Sequence, residues 1–332
     1  MKPLFYLFAI VSVMTMIRCT PQKRADPPTG LDLSSVDTTV APGESFYRYA
    51  TGGWQQANPI PDEYARYGSF DKLREENQKQ IQSLIEALGS GKHPAGSNAQ
   101  KVGDLYRMGI DSIRLNEQGA APIQSQLEAI VAAKDKRDVI RLMAQASRYA
   151  DNPFFGFAVG PDDKNSSMNI VHLYQSGIGM GDRDYYLLAD DHPRSLRDAY
   201  IRLMENQFQH AGYEEAKARQ AAVNVMRIET ALAAAHITRE MRRIPELNYH
   251  KIRMEELAVA VAPFDWNLFF GEVGAPGLDS LNVSHPIPIK AAIETIEQES
   301  LEALQDYLSW KVINSAAAYL SDSFVTANFE FY

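Results

Sequence analysis

Apolar residues recur along most of this chain with the period of an α-helix. Ser69 stands as a helix cap, Leu73, Ile81, Leu84, Ile85 and Leu88 follow it, and Gly89-Ser90-Gly91 ends the run. Ser97 opens a second helix, in which Val102, Leu105, Tyr106, Gly109 and Ile113 lie on one face. Pro122 suits a first helical position, with Ile123, Leu127, Ile130 and Val131 behind it. Asp135 starts another helix, running through Ile140 and Met143 to about Tyr149. Long helices are expected near 194–211 and 214–240, with Gly212 as the stop between them. Shorter ones are expected near 253–261 and 265–270, and longer ones from about 297 to the end. One stretch differs: the apolar segments 154–159 and 168–174 flank the polar segment 160–167 and read as a β-hairpin with a longer loop. The fold class is mainly α with a small β element.

The N-terminus breaks the pattern. Lys2 precedes an uncharged, largely apolar run over 3–17, too short to span a membrane and the right length for a signal-peptide core. Residues 1–18 therefore read as a signal peptide, and 19–40 as a polar linker containing Pro27-Pro28. Cys19, the sole cysteine, follows the apolar run directly. That placement resembles a bacterial lipoprotein signal, in which the cysteine is lipidated, although Arg18 stands where a small residue is usual. An ordinary signal peptide with an incidental cysteine is the other reading. Either way the expected localisation is export, to the periplasm or as a membrane-anchored envelope lipoprotein.

Composition narrows the function. The 332 residues carry 33 Lys and Arg against 42 Asp and Glu, a net charge of -9, which argues against a dedicated nucleic-acid binder. A single cysteine excludes an intrachain disulfide.

The motifs that carry chemistry are incomplete. A His-Glu-x-x-His helix would set two imidazoles one turn apart with a glutamate beside the bound water. None of the seven histidines is followed by Glu, and no two are four apart. His210/Glu214 and His236/Glu240 have helical spacing, but two ligands do not make a metal site. Gly89-Ser90-Gly91-Lys92 and Gly177-Ile178-Gly179-Met180-Gly181 fall short of phosphate loops and read as turns. Ser69 and Lys72 have Ser-x-x-Lys spacing without the Lys-Thr-Gly that should accompany it. From motifs alone, the chain has no catalytic residues, no metal ligands and no cofactor of its own.

Several blocks nevertheless point to one family. Phe46-Tyr47-Arg48-Tyr49, Gly52-Gly53-Trp54, Pro59-Ile60-Pro61 and the run from Tyr67 to Asn77 resemble the opening of neprilysin-type zinc metalloendopeptidases. The run from Ser176 to Tyr186, the segment Glu229-Thr230-Ala231-Leu232-Ala233, and the ending from Tyr307 to Tyr332 resemble later blocks of the same family in the same order. Without cysteines in the body, the bacterial oligopeptidase-O-like branch fits best. Ser45, Thr51 and Gly181 depart from the usual Asp, Asn and Pro.

The resemblance implies that 41–332 is the family's N-terminal helical domain, most of a lobe that closes over a catalytic lobe and admits peptides to an enclosed chamber. It implies zinc and peptide hydrolysis in the complete enzyme, with the zinc ligands in a C-terminal catalytic domain outside these blocks. The chain is then expected to be an inactive fragment by itself. A free-standing, non-enzymatic envelope lipoprotein that binds peptides or proteins, and one half of a split peptidase, stay open as alternatives. For site residues, the resemblance implies that Arg66 approaches the C-terminal carboxylate of a short peptide, with Asp71 and Arg74 lining and orienting that pocket. By their own chemistry the three also fit a helix-start acid and surface ion pairs.

Overall fold

The computed structural model describes Gly30, residues 32–149 and residues 152–332. The signal segment, Cys19 and most of the linker lie outside the described residues. The chain divides into two compact units, Met1–Asp104 and Leu105–Tyr332. No helix among the described residues is long and apolar enough to cross a membrane.

The first unit holds α1 (Phe46–Ala57), α2 (Ser69–Ser90) and the start of α3 (Asn98–Gly109). Ser45 caps α1 by accepting the Arg48 N–H at 3.3 Å, so the hydroxyl takes the place of the usual carboxylate. α1 itself went unforeseen because Gly52-Gly53 interrupts its pattern. Both glycines are needed for close approach: a Cβ at Gly53 would meet the Ser34 carbonyl, and one at Gly52 the Asp37 side chain. At the start of α2 the cap is Gly68 rather than Ser69, because the Asp71 carboxylate accepts the Gly68 N–H at 3.0 Å. The predicted apolar face of α2 stays largely open, with Leu73 61% and Leu84 60% exposed. Among the described residues of this unit, Gly89 and Gly103 are the buried ones.

The second unit opens with the end of α3, which stops at Gly109. Asp111 then accepts the Arg114 N–H and caps α4 (Ser112–Gln118), so Ile113 belongs to a new helix and not to the predicted stripe. α5 (Ala121–Val131) and α6 (Lys136–Ser147) follow as expected, the second capped by Asp135. β1 (Phe155–Asp162) and β2 (Asn165–Gln175) form the hairpin. Its connection is only residues 163–164, because backbone pairing continues through the polar segment, Gly160 opposite Ile170 and Asp162 opposite Asn165. Asp162 holds this tip by accepting from the Lys164 N–H, the Tyr249 hydroxyl and Lys251 Nζ.

Next come α7 (Asp184–Leu187), α8 (Asp191–His210) and α9 (Glu215–Ala235), with Gly212 at φ +94° between the two long helices. β3 (Lys251–Arg253), α10 (Met254–Ala260), α11 (Trp266–Val273) and β4 (Ser280–Val283) complete a four-stranded sheet of order β1-β2-β4-β3. β4 runs parallel to β2, Leu173 opposite Val283, and antiparallel to β3. These two short strands were not foreseen. α12 (Pro286–Gln298) was not foreseen either; Pro286 and Pro288 fall in its first turn, which needs no donor from them. α13 (Leu301–Ala316) and α14 (Asp322–Phe331) close the unit.

α13 is the axis of the core. It buries Leu304, Tyr307, Trp310 and Ile313 among α5, α9 and α8. Trp266 and Phe269 of α11 pack on Phe155 at ring separations of 5.7 and 5.4 Å, and Phe270 packs on Trp266 and Phe269 at 5.8 and 5.3 Å. Of the aromatic C-terminal residues, Phe324 is buried, while Phe329 and Tyr332 are exposed.

Candidate functional site

The three residues of the expected peptide pocket all sit at the start of α2, in the first unit. Arg66 lies in the connection before the helix, exposed, with no side-chain hydrogen bond or ion pair among the described residues. Asp71 is in the first helical turn, where one oxygen accepts the Gly68 N–H and the other meets Arg74 Nη2 at 2.7 Å. The structure thus brings Asp71 and Arg74 together and joins Arg66 to neither. Arg74 also borders an open groove along α2 with Phe70, Leu73 and Asn77. Tyr67, next to Arg66, is anchored by stacking on Trp54 and by donating to Glu75 Oε2 at 3.0 Å. That anchoring fixes the backbone from which the free guanidinium projects. Such a group can meet a carboxylate with two parallel N–H donors.

The family block 176–186 is organised in the second unit by a buried charge. Glu229 of α9 is fully buried. Its Oε1 accepts from Lys311 Nζ at 2.8 Å, and its Oε2 from the Tyr186 hydroxyl at 2.5 Å and the Gly179 N–H at 3.0 Å. The Tyr186 oxygen in turn accepts the N–H groups of Gly179 and Met180, both at 2.9 Å. Tyr200 donates to Glu229 Oε1 at 3.4 Å and accepts from Trp310 Nε1 at 2.9 Å. Lys311 and the Tyr307 hydroxyl both donate to the Gly177 carbonyl, and Tyr307 also meets the Pro153 carbonyl. Burial, reinforced by the Glu229 charge, pushes the Tyr186, Tyr200 and Tyr307 hydroxyls well above their ordinary pKa, so they remain donors. Two glycines make the approach possible. Gly177 takes φ +99°, and a methyl at Gly179 would overlap the Tyr200 hydroxyl.

The same block corrects an expected helix. The 214–240 helix stops at Ala235 because the chain leaves it to hold the 175–177 turn. His236 Nε2 meets the Ser176 carbonyl at 3.2 Å, while Gln175 both accepts the Ile237 N–H and donates to the Ile237 carbonyl. His236 and Glu240 therefore do not share a helical face. His210 packs against the Phe324 ring, tilted by 58°, instead of joining Glu214 in a ligand set.

Among the described residues no group of three or more His, Cys, Asp or Glu side chains converges as a metal site. His236 is a poor ligand for a further reason: it is buried, its Nε2 is engaged by the Ser176 carbonyl, and the nearby Arg242 and Arg183 cations would repel a metal cation. The described residues do not fit zinc.

Sequence reasoning missed the Glu229 hub. Glu229 looks like an ordinary helical surface charge, and Lys311 stands 82 positions away. The available signal was the coincidence of family blocks: Glu229, Lys311, Tyr186 and Tyr307 fall in or beside three of them.

Residues 42–332 match peptidase family M13. Endothelin-converting enzyme 1 of Homo sapiens is 32% identical over 314 residues, covering 90% of this chain and 40% of that protein. The Cavia porcellus counterpart is 31% identical with 41% of its length covered. Among solved structures, the Mycobacterium tuberculosis zinc metalloprotease Zmp1 in complex with an inhibitor superposes with a TM-score of 0.81. That alignment is 27% identical and covers 92% of this chain and 47% of that one. PepO from Lactobacillus rhamnosis HN001 shares the fold, at TM-score 0.66 and 16% identity, over 88% of this chain and 46% of its own. The chain spans about two fifths to one half of the length of these relatives. Helical content, the order of the family blocks and the match over 42–332 together place it: the chain belongs to peptidase family M13, the neprilysin-type metallopeptidases, and corresponds to their N-terminal region.

Proposed function

We propose that this chain is the peptide-enclosing N-terminal lobe of an exported zinc metalloendopeptidase, inactive by itself. The match to peptidase family M13 over 42–332 carries this reading. Zinc belongs to the complete enzyme and is supplied with ligands outside the described residues. What this chain contributes is recognition. Arg66, exposed and without a partner among the described residues, pairs with the terminal carboxylate of a short peptide, while Arg74, set by Asp71, lines the approach. The N-terminal segment directs export, with Cys19 as the lipid-bearing residue.

Calorimetric titration with one short peptide, as free acid and as C-terminal amide, tests the recognition step. The free acid should bind at least about tenfold more tightly, the worth of a charge-assisted hydrogen bond, and Arg66→Gln should erase the difference. Equal binding of the two peptides by the unmodified chain overturns the assignment. For the activity, co-expression with the family's catalytic region should yield chelator-sensitive peptide hydrolysis, and the chain alone none. For the anchor, labelled fatty acid should enter the protein and be lost in Cys19→Ala; labelling that survives removes Cys19.

A further inference from the structure

A second cationic feature lies in the second unit, on residues other than those assigned to peptide recognition. It is a cavity of about 190 Å³ between the 175–183 turns and the segment that follows α9. Arg183, Arg239, Arg242 and His236 line it, with Asp182 as the acid among them. Asp182 is spent on Arg239, with which it forms a direct ion pair. Arg183 uses only its Nε, which donates to the Ala233 carbonyl at 3.3 Å in the last turn of α9, leaving its terminal nitrogens free for the cavity. Arg242 makes no side-chain hydrogen bond or ion pair among the described residues. His236 has its Nε2 engaged by the Ser176 carbonyl and stays neutral at pH 7, its low pKa due first to burial and then to these arginines.

Two guanidinium groups thus converge on a concave polar site with their charge unmatched, in a chain whose net charge is -9. Clustering cations in one recess of an acidic protein costs repulsion, which a bound anion relieves. We infer that this cavity is an oxyanion site, in which Arg183 and Arg242 clamp the oxygens of a carboxylate or phosphate group. The planar fork of arginine is suited to both. The walls fit such a role because they are fixed: Gln175 locks Ile237 at both backbone atoms, and the Glu229 hub holds the opposite turn.

Titration of the full chain with inorganic phosphate, and separately with acetate and a succinate-type dicarboxylate, tests the site by calorimetry and thermal shift. Either class of anion should raise the melting temperature in a saturable, salt-sensitive manner, and the tighter arm names the source. Arg242→Gln should weaken binding about tenfold or more, while Arg66→Gln should leave it unchanged, which separates this site from the peptide carboxylate contact. Because Arg242 is exposed and unpaired, its substitution should leave the unliganded melting temperature in place; Arg239→Gln, which frees Asp182 to oppose the anion, gives an independent loss of affinity. Absence of saturable binding in every arm, or binding that survives both substitutions, overturns the inference.

Discussion

Replacing Lys311 with Met tests whether the Glu229 hub is the electrostatic keystone of the second unit. The charges lie 2.8 Å apart, so at an effective dielectric of about 20 their attraction is about 6 kcal/mol. Against this stands the cost of holding the ammonium out of water, which vanishes with the substitution. Lys311 keeps 23% side-chain exposure, whereas Glu229 keeps none, so the larger desolvation penalty falls on the carboxylate left behind. The donors remaining to Glu229 are the Tyr186 hydroxyl, the Gly179 N–H and the long contact from Tyr200. The net expected loss is about 3 kcal/mol, the lower end for a buried pair broken on one side. Urea unfolding followed by tryptophan fluorescence reads it directly, because Trp310 and Trp266 are both fully buried in this unit. The double variant Glu229→Gln/Lys311→Met removes the orphaned charge and should recover at least about 1.5 kcal/mol. A loss below about 1 kcal/mol in Lys311→Met, or a double variant no more stable than the single one, would refute the argument.

Gly179→Ala should destabilise by about 1–3 kcal/mol through overlap with the Tyr200 hydroxyl, and a calorimetric melting temperature within about 1 °C of the parent would contradict it. Stability should also fall on acidification. His236 and His285, whose pKa values burial lowers to about 4, take up protons in the unfolded chain near pH 6.5 but in the fold only near pH 4. Their contribution is complete above about pH 6.5 and lost between 6.5 and 4, so urea midpoints should drop across that window and His285→Gln should flatten the drop. Asp71→Ala should cost α2 about 1 kcal/mol by removing the acceptor for the Gly68 N–H, seen as faster amide exchange at its first turn. Arg74→Gln should cost well under 1 kcal/mol, because its ion pair is on the surface; equal losses in the two variants would argue against the cap.

Legibility in the sequence followed the range of the forces involved. The caps at Asp135 and Ser97 and the stop at Gly212 were readable because each acts within a few residues. The end of α9 was not, because what terminates it is the 175–177 turn, sixty positions away, pulling His236 and Ile237 out of the helix. β4 was invisible for a related reason: its four residues become a strand only by pairing with β2 and β3. The polar hairpin tip was read as loop because backbone pairing does not depend on the side-chain alternation used to find strands. In the first unit the periodicity of α2 was right as local structure, but Leu73 and Leu84 stay exposed among the described residues.

For the candidate site the division is similar. The family blocks marked Arg66, Asp71 and Arg74, and the structure shows Asp71 and Arg74 paired while Arg66 has no partner among the described residues. By itself the sequence determined a mainly helical chain of the neprilysin type, since hydrophobic period, capping residues and ordered blocks are written locally along it. Only the tertiary structure decided which charges are buried, which turns are clamped and where arginines converge. Those outcomes depend on Glu229 meeting Lys311 and on Arg183 coming to the end of α9, contacts between residues far apart in the chain whose energies exist only once the core has excluded water.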